Sequence, residues 1–216
     1  MIFTAIITVI AAYLIGSINF AVIFTEIFLK RDVRKMGSGN AGATNVLRSA
    51  GFLPGLLTFI FDALKGFVAV SIGYKFFEYI FSSSADSWAN PVYGAYLCGL
   101  ACMIGHVLPI FFGFKGGKGV ATSVGIFAIC SPIAIISGLV VFAITLSITK
   151  IVSLSSLLAT VVVVVGAIVF HNDSALIWPQ IILTLIMGFI VVFKHKDNIK
   201  RLIAGNESKI GSRGKK

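Results

Sequence analysis

Charged residues are scarce in this chain, and their scarcity excludes several classes of protein. Only 12% of the 216 residues are Asp, Glu, Lys or Arg, whereas ordinary soluble domains carry roughly 25%. Hydrophobic residues make up 57%, and the mean hydropathy is +1.00. This composition excludes a soluble globular domain, a large catalytic ectodomain, a disordered chain and a basic nucleic-acid-binding domain. It predicts an all-α integral membrane protein in which residues 1–216 form a single domain within the lipid bilayer.

Cysteines and acidic residues are too few to indicate a disulfide framework or a metal centre. The three cysteines, Cys98, Cys102 and Cys130, lie inside apolar runs, and their spacing is not that of metal ligands. Only eight residues are Asp or Glu, and they form no carboxylate cluster. We therefore expect no metal and no cofactor, and interpret the cysteines as packing residues.

Apolar runs alternate with short basic loops along the chain. A helix needs about 20 residues to cross a bilayer. Five runs reach that length: 2–25, 51–74, 91–112, 151–170 and 174–193. The uncharged stretch 119–149 is too long for one crossing, and Ser131-Pro132 interrupts it, since proline removes a helix hydrogen bond. Two short helices around Ser131-Pro132 bring the prediction to seven transmembrane helices.

The distribution of basic residues predicts the orientation, because such residues stay on the cytoplasmic side. Four of them lie between Lys30 and Lys35, directly after the first run, which places the amino terminus outside. A single kinked helix over 119–149 would put the strongly basic tail 194–216 outside as well. Seven spans instead place the carboxyl terminus in the cytoplasm, and only Lys65 and Lys75 of the 18 basic residues fall elsewhere. The phenylalanine- and serine-containing stretch Phe81–Asn90 is predicted to be an external loop.

The first cytoplasmic loop has the composition of an anion-binding turn. Its sequence over residues 37–48 is GSGNAGATNVLR. Small residues allow backbone N–H groups to point into a shared concavity, and arginine has a fork geometry that suits phosphate. A flexible connector would not need this combination. The candidate site residues here are Gly37, Ser38, Gly39, Asn40, Gly42, Thr44, Asn45 and Arg48.

The second cytoplasmic loop places two lysines among glycines, in GHVLPIFFGFKGGKGVAT over residues 105–122. A Walker loop requires Ser or Thr after its lysine, but Gly119 follows Lys118, so no nucleotide site is predicted. Glycine-flanked lysines at the start of a helix still indicate phosphate binding. The candidates are Lys115, Gly116, Gly117, Lys118 and Gly119. His106 is interpreted as a packed histidine in preference to a proton carrier.

Three further groups of polar residues lie at or within the predicted spans. His195 and Asn198 share a face of a helix that continues from the last span. Ser153, Ser155 and Ser156 begin a span, where hydroxyls contact substrate or merely cap the helix, and the sequence does not decide between the two. Asp62 and Lys65 are three residues apart inside the second span, which predicts a structural ion pair. A structural role is also predicted for Glu207.

Taken together, the motifs GSGNAGATNVLR, GHVLPIFFGFKGGKGVAT, SLSS and HKDNIKRLIAGNE resemble those of the bacterial acyl-phosphate-dependent glycerol-3-phosphate acyltransferases, the PlsY family. The resemblance implies a multi-pass cell-membrane enzyme with its active site on the cytoplasmic face. It implies acyl transfer from acyl phosphate to the 1-hydroxyl of glycerol 3-phosphate, giving lysophosphatidic acid and phosphate as the first acylation step of phospholipid synthesis. By motif, His195, Asn198, Ser38 and Arg48 are the expected catalytic residues, and the first-loop glycines would hold a phosphate.

The residues are compatible with that chemistry, but they leave other classes open. The sequence contains no recognisable Ser-His-Asp order and no activated cysteine. This favours direct attack of the glycerol hydroxyl on the acyl donor, without an acyl-enzyme. A soluble enzyme that makes acyl phosphate is an expected docking partner, and no nucleic acid is expected. A transporter for a phosphorylated solute would also use basic loops and a broken helix, although its site would lie near the bilayer midplane between inverted repeats. A scaffold protein would tolerate alanine in place of the loop glycines.

Overall fold

The computed structural model describes residues 2–81, 90–170 and 177–211, and all regular structure in these ranges is helical. Short 3-10 turns occur at Val33–Lys35 and Ile110–Phe112. The prediction of an all-α protein is confirmed over the described ranges. Their α-helices are α1 (Ile2–Gly16), α2 (Phe20–Leu29), α3 (Ala43–Ala50), α4 (Phe52–Phe81), α5 (Pro91–Val107), α6 (Val120–Cys130), α7 (Pro132–Thr149), α8 (Val152–Val169), α9 (Ile177–Lys194) and α10 (Lys196–Ile203).

Five helical segments of the described chain are long and apolar enough to cross a membrane. They are Ile2–Leu29, Phe52–Ile80, Pro91–Phe112, Pro132–Thr149 and Val152–Val169. Two shorter apolar helices cover Val120–Cys130 and Gln180–Lys194. Seven crossings, and the sides on which the termini lie, therefore stay predictions. Residues 82–89 of the predicted external loop lie outside the described residues, and α4 extends to Phe81.

The predicted interruption at Ser131-Pro132 is confirmed. Helix α6 ends at Cys130, and α7 begins with Pro132 in its first turn, where a missing N–H costs no helix hydrogen bond. The N–H of Ser131 donates to the Phe127 carbonyl (2.9 Å), and the Ser131 carbonyl accepts from Ile135 (3.1 Å). Both sides of the corner therefore keep their backbone hydrogen bonds inside an apolar environment.

The first predicted span, over 2–25, falls within the candidate crossing Ile2–Leu29, but it is built of two helices. Helix α1 ends at Gly16, and α2 begins at Phe20 with Asn19 as its cap, whose side chain accepts from the Val22 N–H (3.2 Å). The Ile18 carbonyl freed by the break accepts from the Lys65 ammonium (2.7 Å). A backbone group freed within apolar surroundings needs such a partner, and here α4 supplies it.

Glycines allow the helices around α4 to pack closely. A methyl group at Gly125 of α6 would overlap the Ala63 carbonyl oxygen of α4, and one at Gly73 of α4 would overlap the Gly94 carbonyl oxygen of α5. Small residues at helix contacts are characteristic of membrane bundles, where van der Waals packing holds helices together. Helices α4, α5 and α6 therefore form a tight frame beneath the polar loops.

The polar loops meet at one end of the bundle. The Arg34 guanidinium reaches the Phe112 carbonyl (2.6 Å), which joins the segment before the first loop to the second loop (residues 108–119). The Ile210 N–H donates to the Lys150 carbonyl (2.7 Å), which joins the tail (residues 204–211) to the turn between α7 and α8. Helix α9 does not continue into the tail as expected: it ends at Lys194, and α10 starts anew after His195.

Candidate active site

A cavity of about 890 Å³ opens at this end of the bundle, and we call it the polar cavity. The first loop (residues 36–42), the starts of α3, α6 and α8, helix α10 and the tail all contribute to its wall. Most of the residues singled out from the sequence are therefore brought together. Those that line it are Gly37, Ser38, Asn40, Gly42, Thr44, Asn45, Arg48, Asp62, Lys118, Gly119, Ser153, His195, Asn198 and Glu207.

Some predicted site residues lie outside the lining of the polar cavity. Lys115 is exposed on the second loop, whereas Lys118 is partly buried and faces the cavity. Phe114, directly before Lys115, and Gly119, directly after Lys118, both adopt a positive φ (59° and 86°), so the segment that carries the two lysines is bounded by a turn at each end. The other predicted residues that do not line the cavity are Gly39, Gly116, Gly117, Ser155 and Lys65.

Asn45 organises the first loop from within. Its side-chain amide donates to the carbonyl oxygens of Val33 (3.1 Å), Met36 (3.0 Å) and Asn40 (3.0 Å). Its side-chain oxygen accepts from the Ser38 N–H (3.0 Å). These contacts use most of the hydrogen-bonding capacity of the amide, so Asn45 shapes the turn on which Ser38 is presented. At Gly37, where φ is +52°, a methyl group would overlap the Asn45 side-chain oxygen.

Three helix N-termini converge on the polar cavity. Helices α3, α6 and α8 each begin without a side-chain cap, at Gly42, Gly119 and Ile151. The first N–H groups of a helix have no partner within the helix, and the helix dipole is positive at that end. The residues of these first turns that line the cavity are Ala43, Thr44, Val120, Ala121, Val152 and Ser153. The wall therefore favours anions before any charged side chain is considered.

A chain of polar contacts crosses the cavity wall from the second loop to the tail. The Lys118 ammonium donates to the Asn198 side-chain oxygen. The Asn198 amide donates to one oxygen of Glu207 (2.8 Å), and Arg201 donates to the other (2.7 Å). Burial opposes the charge of Glu207, but these hydrogen bonds outweigh it and hold its pKa below the usual range. Burial lowers the pKa of Lys118 to about 8.

His195 presents a neutral imidazole to the cavity at neutral pH. Burial, together with the nearby Lys118 cation, lowers the pKa of His195 to about 4. Its Nδ1 lies 2.8 Å from the Val191 carbonyl oxygen, and a carbonyl only accepts, so Nδ1 carries the proton. The other nitrogen, Nε2, then holds a lone pair. His195 is thus prepared to accept a hydrogen bond or a proton within the cavity.

The tail closes one side of the cavity. Arg48, which is exposed and emerges from α3, donates to the Ser208 carbonyl (3.1 Å). The tail is also held at Glu207 by Asn198 and at Ile210 by the Lys150 carbonyl. Glu207 therefore makes the contacts that its predicted structural role requires, while the role itself stays a prediction.

Several lining residues were not predicted as site residues, among them His106, Ser156 and Arg201, and Asp62 was predicted only as the ion-pair partner of Lys65. Asp62 lines the cavity as well as pairing with Lys65 (2.8 Å), and His106 lies 3.5 Å from the same Asp62 oxygen. Ser156 lines the cavity, whereas Ser155 does not. Helical periodicity was the available signal for Ser156, because residues three apart share a face and Ser153 is the third residue before it.

An apolar groove continues from the polar cavity into the bundle. It has a volume of about 100 Å³ and runs between α6, α7, α8 and α9. Phe127, Ile135, Val163 and Met187 are buried in the core at its inner end. Along α8, Ser156 and Val164 are eight residues apart, or about 12 Å at the helical rise. Among the described residues, four line both the cavity and the groove: Phe59, Val120, Phe142 and Ser156.

Comparison with known proteins gives one consistent family. The sequence model of the family described as Glycerol-3-phosphate acyltransferase matches residues 6–205. A glycerol-3-phosphate acyltransferase of Finegoldia magna is 38% identical over 202 residues and covers 94% of each chain. Glycerol-3-phosphate acyltransferase 2 of Bacillus anthracis is 42% identical over 205 residues, which are 95% of this chain and 98% of that protein.

Solved structures agree with the sequence comparison. The crystal structure of PlsY, an integral membrane glycerol 3-phosphate acyltransferase, in its glycerol 3-phosphate form matches with a TM-score of 0.80 at 36% identity. It covers 97% of this chain and 96% of its own. The lysophosphatidic acid form of PlsY matches with a TM-score of 0.77 at 35% identity. This chain therefore belongs to the glycerol-3-phosphate acyltransferase family of integral membrane enzymes.

Proposed function

We propose that the protein transfers a fatty acyl group from acyl phosphate to the 1-hydroxyl of glycerol 3-phosphate and releases lysophosphatidic acid and phosphate. The observation that carries this proposal is the direct connection of an anion-binding cavity to an apolar groove. Phe59, Phe142 and Ser156 stand at the junction of the two. A donor with a phosphate at one end and an alkyl chain at the other matches this pair of environments, with its carbonyl near the junction.

The cavity offers enough positive charge for two phosphates. Lys118, Arg48 and Arg201 line it, together with the uncapped N-termini of three helices. Preorganised N–H groups and cations stabilise negative charge that develops during a reaction. Such an arrangement suits a step in which an oxyanion forms at the acyl carbon and a phosphate leaves. The glycerol 3-phosphate and lysophosphatidic acid forms of PlsY support the same assignment of acceptor and product.

The proposed step is direct attack by the glycerol 3-phosphate hydroxyl oxygen on the acyl carbonyl carbon. A new carbon–oxygen ester bond forms, and the bond between the acyl carbon and the phosphate oxygen breaks. The hydroxyl proton passes to Nε2 of His195 or to a phosphate oxygen of a substrate. Acyl phosphate already carries a good leaving group, so positioning of the two substrates provides much of the acceleration.

A donor comparison tests the function. Purified protein in lipid nanodiscs is incubated with labelled glycerol 3-phosphate and either acyl phosphate or acyl-coenzyme A of the same chain length. We expect labelled lysophosphatidic acid from acyl phosphate alone. Product from acyl-coenzyme A alone would overturn the donor assignment, and uptake of the label into sealed vesicles without product would favour a transporter.

A trapping experiment tests the direct attack. The protein is mixed with acyl phosphate in the absence of glycerol 3-phosphate, denatured in acid and weighed by mass spectrometry. We expect the unmodified mass, because no described cavity serine is hydrogen-bonded to a histidine that would activate it. An increase by one acyl group that disappears when glycerol 3-phosphate is added would establish an acyl-enzyme instead.

The same proposal includes the side of the membrane on which the polar cavity opens and the enzyme that supplies the acyl phosphate. The polar cavity faces the cytoplasm, where a soluble enzyme that makes acyl phosphate would dock. Access of a membrane-impermeant thiol reagent to a Lys115→Cys variant, in which Lys115 is exposed outside the cavity, tests the side. Labelling of intact cells from outside would contradict the proposed orientation.

A further inference from the structure

Gly116 and Gly117 of the second loop lie against His106 and do not line the polar cavity. The Gly117 N–H donates to the His106 carbonyl oxygen (3.1 Å). A methyl group at Gly117 would overlap the His106 imidazole at Nε2, and one at Gly116 would overlap the His106 carbonyl oxygen. The two glycines thus allow the backbone before Lys118 to lie directly on one residue of α5.

The first loop reaches the same place. The carbonyl oxygen of Ala41 stands 2.7 Å from the position that a methyl group at Gly117 would take. Ala41 is itself buried, beside the Asn40 and Gly42 that line the cavity. The backbones of both anion-binding loops therefore meet over the His106 ring.

The His106 ring is held from the other side by a buried ion pair. Its Nδ1 lies 3.5 Å from an oxygen of Asp62, and that oxygen lies 2.8 Å from the Lys65 ammonium. His106, Asp62 and Lys65 are at most 5% exposed. Lys65 in turn donates to the Ile18 carbonyl at the break between α1 and α2. The buried ion pair therefore lies directly against the Nδ1 side of the ring.

We propose that His106 is a positioning residue, which sets the height of the second loop above α5 and thereby places Lys118 in the polar cavity. The proposal rests on the proposed acyl transfer, which provides its assay. A histidine that only filled space in α5 would act on stability alone. His106 is different because the side of its ring that faces away from Asp62 lies against the two loops of the cavity wall. One of the contacting residues, Gly117, directly precedes Lys118. Displacement by about 1 Å can cost an enzyme about a hundredfold in rate.

A double-mutant cycle on kcat/KM for glycerol 3-phosphate tests this proposal. Gly117→Ala should lower kcat/KM by at least about tenfold, because its methyl group meets the imidazole and lifts the loop. In a His106→Ala background the same substitution should cost several-fold less, and this ratio is the coupling between the two positions. The relief is partial, since the Ala41 carbonyl still opposes the methyl group.

Gly116→Ala is the matched control. Its methyl group meets the backbone carbonyl of His106 and Pro109, and both remain when the imidazole is removed. Its effect should therefore be the same in both backgrounds, within about twofold. Equal coupling for the two glycines, or no coupling for Gly117, would overturn the proposal.

Two further measurements keep the test decisive. If His106→Ala does not fold, His106→Asn replaces it, because asparagine keeps an amide near the Nδ1 position for Asp62 but has no atoms at Nε2. The loss in Gly117→Ala should appear mainly as a raised KM, since Lys118 contacts a substrate phosphate in the ground state. A lowered melting temperature with unchanged KM and kcat would indicate a structural role only. The outcomes separate the two proposals. Wild-type protein without activity on acyl phosphate would refute the proposed function. An active wild type in which the effects of Gly117→Ala and His106→Ala on kcat/KM simply multiply would refute the positioning role alone.

Discussion

Raising the pH from 7 to 9 should remove the positive charge of Lys118 and weaken substrate capture. Burial lowers the pKa of Lys118 to about 8. A lysine with a lowered pKa is charged below that value and loses its charge as the pH rises through it. Both substrate phosphates are already about 90% doubly ionised at pH 7 and change little up to pH 9, because the second ionisation of a phosphate ester lies near pH 6. The alkaline change therefore reports on the enzyme.

The size of the effect follows from the protonated fraction. A pKa of about 8 leaves about 90% of Lys118 charged at pH 7 and about 10% at pH 9. A hydrogen bond to a charged group contributes about 1.5–3 kcal/mol, so the uncharged enzyme binds a phosphate at least about tenfold more weakly. We therefore expect kcat/KM to fall by about five- to tenfold between pH 7 and pH 9. The fall in kcat should come at higher pH, because a bound phosphate stabilises the cation.

Initial rates with labelled glycerol 3-phosphate at several concentrations, corrected for spontaneous hydrolysis of acyl phosphate, give both profiles. Lys118→Arg is the matched variant, because a guanidinium stays charged across this range. Its kcat/KM should be lower than that of the wild type at pH 7 but nearly level up to pH 9. If kcat/KM of Lys118→Arg fell over the same pH range as that of the wild type, the loss would not arise from Lys118. A level profile in the wild type would equally refute the attribution to Lys118.

Three other sets of substitutions have definite expected outcomes. Lys118→Ala should raise KM for a phosphorylated substrate at least about tenfold. Lys115→Ala is the control, because Lys115 is exposed and lies outside the cavity, and it should change KM less than about twofold. Steady-state kinetics measures both values. Lys65→Met leaves the Asp62 carboxylate buried without its partner and should lower the free energy of unfolding by about 3–5 kcal/mol. Thermal unfolding in detergent measures this, and Asp62→Leu added to Lys65→Met should recover much of the loss. Glu207→Ala removes acceptors for two donors and should cost about 1.5–3 kcal/mol together with part of the activity. Unchanged unfolding and turnover would reject the structural role of Glu207.

Local chemistry explains which parts of the fold were predictable. Proline at position 132 restricts the backbone wherever it occurs in a helix, so the corner between α6 and α7 was legible from sequence. The break before Phe20 was not, because no proline or charge marks it. Its stability depends on Lys65, which donates to Ile18 from 47 residues away. A pattern read along the chain does not contain that contact.

The same limit applies to the candidate site. Lys115 and Lys118 have nearly the same glycine-rich neighbours, yet Lys118 lines the polar cavity and Lys115 does not, and their sequence neighbours do not reveal this difference. The two loops and the terminal helix were expected to form one pocket, and most of their predicted residues do line the polar cavity. The predicted contact of Gly117 with phosphate stays a prediction, and its lack of a side chain allows a close approach to His106. A glycine motif predicts a close approach to the backbone, but it does not show whether the approaching group is a ligand or a side chain of the protein itself.

The attachment of the tail at Ile210 has a consequence for biosynthesis. Residues 207–211 form part of the cavity wall and bind to the turn at Lys150, yet they are translated after every described helix. A bundle that is complete through α10 would therefore still lack one side of the polar cavity until residues 207–211 dock against the turn at Lys150.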